Sequence, residues 1–206
     1  MAALHGQQKP LTIPRSVEQE MSRHMHLSLP QEACGVVLGE SAAGGIRISR
    51  FQPIRNVAPD PLHHFALDQT EWIRCIFSGS IIVGIFHTHP HTLPIPSYED
   101  LQALPDFAGM VQVYLIGSPN LEINSADSRI NAESSDSTLG MKSPDFTLGM
   151  KSPDFTLGMK SLDTNNSISC MLLNAYQIAK TDEQQPHSVS PENPSYHLIP
   201  MQLRVT

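Results

Sequence analysis

The sequence predicts an α/β protein built on a mixed sheet. Three observations predict it. One amphipathic helical stripe lies near the N-terminus, several short apolar runs read as buried strands, and helical patterns separate those runs. The length, 206 residues, fits a single domain spanning 1–206 and carrying an insertion.

Val17, Met21, Met25 and Leu29 recur at every fourth residue and form one stripe of a helix. Pro14 suits its first turn and Pro30 stops it. Cys34–Gly39 is a short apolar run read as a buried strand. Ile46, Ile48 and Phe51 mark a second strand after a Gly44–Gly45 turn. Asp68, three residues before Glu71, resembles a capping box. Trp72, Ile73, Ile76 and Phe77 follow at helical spacing, and Gly79 ends the helix. Ile81–Phe86 is apolar on both faces, as a central strand is, and Gly84 lets a neighbouring backbone approach. A short helix runs from Ser97 to about Ala103, before Pro105. Val111–Ile116 is the next strand.

Residues 119–168 are rich in Ser, Asn, Asp and Gly. They hold a nine-residue tandem repeat over 138–163: TLGMKSPDF from Thr138, again from Thr147, and a partial copy from Thr156. Solenoid repeats are longer, so the segment is expected to be a flexible surface insertion. Cys170–Ala179 reads as a strand. Tyr196–Val205 reads as a closing edge strand that tolerates Pro200 only at an edge or bulge.

Thirteen Lys and Arg against twenty Asp and Glu give a net charge of −7, which argues against a nucleic-acid or anionic-membrane surface. The longest apolar runs fall far short of the ~20 residues of a membrane helix. Three scattered cysteines make no disulfide framework. The first residues lack the apolar core of a secretory signal, so the expected location is cytoplasmic.

Five of the ten histidines lie between His63 and His91. His87 and His89 directly follow the Ile81–Phe86 strand. Residues two apart on a strand share a face, and two imidazoles there begin a zinc site. Thr88 faces the other way. A catalytic zinc needs a third ligand, for which Asp100 is the candidate. Ser97-x-x-Asp100 also reads as a plain capping box that needs no metal. His63, His64 and His91 are weaker rivals. Cys34 reads as an inert buried thiol.

His87-x-His89, seven residues, Ser97, two residues, Asp100 resembles the H-x-H-x7-S-x2-D signature of the JAMM (MPN+, JAB-domain) zinc metalloproteases. Pro30-Gln31-Glu32-Ala33-Cys34-Gly35 is similar to the glutamate segment of that family. The resemblance runs from about Ile13 to Ser118, and short bacterial members are the nearest in kind. It implies a curved mixed sheet flanked by helices, like that of cytidine deaminases. It implies His87, His89 and Asp100 as ligands to one Zn2+ per chain. Glu32 is the implied general acid/base and Ser97 the implied oxyanion stabiliser. The implied reaction is hydrolysis of a peptide or isopeptide bond, with the C-terminus of a ubiquitin-like or sulfur-carrier protein among the expected substrates. A metal-free scaffold module that uses the repeat as a docking tether is the alternative, but the complete ligand set counts against it. A nucleobase deaminase would need H-x-E and P-C-x-x-C, and neither occurs.

Overall fold

A computed structural model describes residues 10–120, 171–180 and 196–206. The expected insertion beyond residue 120, its 138–163 repeat and Cys170 lie outside the described residues. The described chain runs β1 (Leu11–Ile13), α1 (Arg15–Ser28), β2 (Cys34–Ala42), β3 (Gly45–Ile54), α2 (Gln69–Ile76), β4 (Ile82–Thr88), α3 (Tyr98–Phe107), β5 (Val113–Pro119), β6 (Met171–Lys180), β7 (Tyr196–Pro200) and β8 (Leu203–Val205). Among the described residues, no helix is long and apolar enough to cross a membrane.

The strands form one mixed sheet in the order β7-β6-β5-β4-β2-β3-β1-β8. Its centre is β4, antiparallel to β2 and parallel to β5. That explains the run apolar on both faces: Val37, Phe86 and Leu115 belong to the core layer that includes the α1 residues Val17, Met21 and Met25. Val36, Ile85, Tyr114 and Ile116 form the opposite layer with Cys75 of α2 and Leu104 of α3. A bulge at Val37/Leu38 in the β2–β4 pairing turns Val83 to the α1 side. Gly84 is required by its neighbours. A Cβ there would meet the Val113 carbonyl oxygen at 2.6 Å.

The α1 stripe forms as the spacing predicts, up to Ser28, with Leu29 just beyond its end and part-exposed. Asp68 caps α2 through the Glu71 N–H, 3.0 Å, but the Glu71 carboxylate takes the Arg55 N–H instead, 2.8 Å, so the box is half made. The helix ends at Ile76, before Gly79, and Ile73, Ile76 and Phe77 face solvent. α3 continues through Pro105 to Phe107. Pro105 has no N–H to give the Leu101 carbonyl and its ring crowds that group, yet the helix carries on for two more residues. β1 is too short to carry a sequence signal. The last segment, expected as one edge strand, opens as β7 antiparallel to β6, with Pro200 at its end. It then does something further. Met201 donates its N–H to Ala175 O of β6 while the Gln202 carbonyl accepts from Leu11 of β1. Residues 203–205 pair parallel to β1. One segment therefore joins both edges of the curled sheet.

Candidate metal centre

β4 places His87 within the strand and His89 one residue past its end, where the His89 N–H still donates to the Gly117 carbonyl at 2.8 Å. Both imidazoles lie on the α2/α3 side of the sheet. α3 brings Asp100 to them in its first turn. The His87 and His89 Nε2 atoms are 3.0 Å apart. Asp100 Oδ1 is 3.0 Å from His87 Nε2, and Oδ2 is 3.4 Å from His89 Nε2. All three side chains are buried.

The antiparallel register pairs Cys34 with His87. Continued two residues outward, it sets Glu32 opposite His89. Thr88, pointing to the other face, fixes this end: its Oγ1 accepts the Ala33 N–H at 2.8 Å, and its N–H donates to Ala33 O at 3.0 Å. The Glu32 N–H donates to Pro61 O, and its carbonyl accepts from Asn56 Nδ2. Glu32, His63, His64, Phe65, His89 and Ser97 line a cavity of about 170 Å³ beside the cluster. Each residue that the resemblance implies is therefore at one site. His63 pairs with Asp60 at 2.9 Å on the rim, and neither it, His64 nor His91 joins the cluster.

Charge is arranged accordingly. Burial raises the Glu32 carboxyl to about 7, against the opposing pull of His89. Burial pushes Asp100 up, but hydrogen bonds from the two imidazoles and from the Ser97 N–H outweigh it and hold the carboxyl well below its usual range. Burial lowers the His87 pKa, against the opposing pull of Asp100. For His89 burial also acts downward, but the bond to Asp100 wins and raises it. Cys34 is pushed up to about 12, chiefly by burial, and its thiol donates to Ile54 O at 3.3 Å. It is inert, as expected.

His87, His89 and Asp100 fit a metal ion. Three ligand atoms on buried side chains converge within 4.8 Å. Ligands about 2.0–2.1 Å from a tetrahedral ion stand about 3.3–3.4 Å apart, close to the separations here. Ser97 and Asp100 also make the full capping box: Ser97 Oγ accepts the Asp100 N–H at 3.1 Å, and Asp100 Oδ2 accepts the Ser97 N–H at 2.7 Å. The cap is therefore made, and it leaves the same carboxylate facing the two imidazoles. Sequence reasoning missed Tyr114, whose hydroxyl donates to Asp100 Oδ1 at 3.0 Å, and Phe65, whose ring stacks on His87. Both contacts depend on tertiary placement, and no spacing rule announces them.

Residues 14–128, more than half of the chain, match the family described as prokaryotic homologs of the JAB domain. The chain belongs to this family. Among JAB-related sequences, desampylase of Haloferax volcanii is 34% identical over 97 residues, 44% of this chain and 65% of that protein. A probable TtuB-protein conjugate cleaving protease of Thermus thermophilus is 27% identical over 96 residues, 45% of this chain and 62% of that protein. Tail tip assembly protein K of Escherichia phage N15 is 34% identical over 77 residues, 37% of this chain and 29% of that protein. Each match thus spans less than two thirds of the relative's length. A solution structure of a Desulfitobacterium hafniense protein shares the fold, with a TM-score of 0.52 at 20% identity over 95% of this chain and 94% of that one.

Proposed function

We propose that this JAB-family chain is a zinc-dependent isopeptidase that releases a small protein modifier from its conjugates. The observation that supports this most is the convergence of His87, His89 and Asp100 with Glu32 across the β2–β4 register. The named activities of desampylase and the conjugate cleaving protease support the substrate class. In this reading 1–206 is one domain, with 119–168 inserted in it.

His87, His89 and Asp100 would hold one Zn2+. Bound zinc supplies Lewis acidity toward the scissile carbonyl and the attacking water, and its charge favours the ionised form of Glu32. Glu32 takes a proton from the attacking water and returns one to the leaving amine. Burial raises the Glu32 carboxyl and so favours its taking up a proton, while the charge of a bound ion favours giving it up; the two opposed effects suit a group that must do both. Asn56, on the Glu32 carbonyl, and Thr88, on the Ala33 N–H, hold the backbone at Glu32 in place for that transfer. The Ser97 Oγ–H, which donates to Asp100 Oδ2 at 2.8 Å, turns toward the carbonyl oxygen as negative charge develops there.

The test is Glu32→Gln on an isopeptide-linked modifier conjugate. The variant keeps wild-type zinc content and cleaves about 10²–10⁴-fold more slowly. Full cleavage by Glu32→Gln would contradict the assigned mechanism.

A further inference from the structure

We propose that Phe65 and Tyr114 are positioning residues of the metal centre, an aromatic brace that sets the angle of His87 while Tyr114 also anchors Asp100. The proposal rests on the metal reading above.

A ligating histidine is ordinarily oriented by a hydrogen bond from its second ring nitrogen to a carboxylate, carbonyl or water. His89 follows that pattern, with Nδ1 3.2 Å from Leu93 O. That loop is itself held, because Pro94 O accepts from Asn174 Nδ2 at 2.9 Å and from Tyr176 Oη at 3.1 Å. His87 differs. It is fully buried, and among the described residues nothing bonds its Nδ1.

Rings restrain it instead. Phe65 stacks on the imidazole with centroids 4.6 Å apart and planes 20° apart. Tyr114 packs against it at 5.1 Å and 53°. Offset and tilted contacts of this kind favour particular ring angles. Phe65 is backed in turn by Phe107 of α3, at 6.4 Å, which Trp72 of α2 meets at right angles. The brace therefore ties the β3–α2 loop and two helices to one ligand.

Tyr114 serves two ligands. Its ring touches His87, and its hydroxyl donates to the Asp100 oxygen that faces His87 Nε2. The other Asp100 oxygen takes two donors from Ser97. The carboxylate is thus held from both sides, with its angle set before any ion arrives.

The test uses the full chain with Phe65→Leu, Phe65→Tyr and Tyr114→Phe. Three quantities are measured: zinc affinity by chelator competition, the absorption spectrum of the cobalt-loaded protein, and the melting temperature of the metal-free protein. Phe65→Leu removes the stacking ring, and Tyr114→Phe removes only the hydroxyl. Each lowers zinc affinity by about 10–100-fold and alters the cobalt spectrum. Phe65→Tyr keeps the ring and stays near wild type in both. If Tyr114→Phe fails to fold, the Phe65 pair decides. Variants that bind zinc like the wild type, with unchanged cobalt spectra, overturn the brace whatever their melting temperatures. A wild-type protein that binds no zinc overturns the metal reading and the brace with it.

Discussion

Asp100 carries two jobs that compete on paper. It closes the capping box of α3 and it faces two imidazoles. A carboxylate has about four lone-pair sites, so the jobs coexist. Ser97 is in a different position, because it has a single hydroxyl proton, which rests on Asp100 and must leave it to reach an oxyanion. Ser97→Ala is expected to cost about 1 kcal/mol of stability through the lost cap. It is also expected to lower kcat about 10²–10³-fold through the lost oxyanion donor. Unchanged kcat with lowered stability would leave Ser97 as a cap alone. His89 sets a pH dependence. Its pKa is raised, so below that value it holds a proton that an entering ion must displace. Metal affinity should therefore fall as pH drops through the His89 pKa and level off above it. Chelator competition between about pH 5.5 and 8 would show this, and a flat profile would contradict it.

At the scale of elements, the site depends on β4 lying flush between β2 and β5. Gly84→Val places a side chain against Val113 on the neighbouring strand. The expected loss is about 1–3 kcal/mol in urea unfolding. A neutral substitution would mean that the strands can part without cost. The central strand, α1 and the His-x-His pair were all legible, because period and apolar content carry them directly. Asp100 was legible from its spacing both as a cap and as a candidate third ligand beside the histidine pair, and the family signature favoured the second. Glu32 was legible only by resemblance. The reason is physical: its place opposite His89 follows from β2–β4 register, which local pattern does not encode. Phe65 and Tyr114 went unseen for the same reason. The reach of α3 past Pro105 was missed because a proline near the last turn forfeits one bond without ending the helix.

At the scale of the whole described fold, residues 196–206 join the sheet's two edges. The switch occurs between Met201 and Gln202, directly after Pro200, which cannot donate to a ladder. An edge strand would otherwise expose unpaired groups along β1. Deleting residues 203–206 removes the bond from Thr206 to Ile13 O and the bond from Arg15 to Thr206 O. It also removes Leu203, which packs on the α1 core. The expected loss is about 2–4 kcal/mol, with zinc content unchanged because the cluster sits in β4 and α3. Loss of zinc in a folded truncation would show that closure shapes the site as well. The metal reading itself is decided by elemental analysis of the full chain, purified without chelator or metal-affinity resin, beside His87→Ala/His89→Ala. The account predicts close to one zinc per wild-type chain and almost none in the double variant. Little zinc in the wild type, even after zinc is added back, would contradict it.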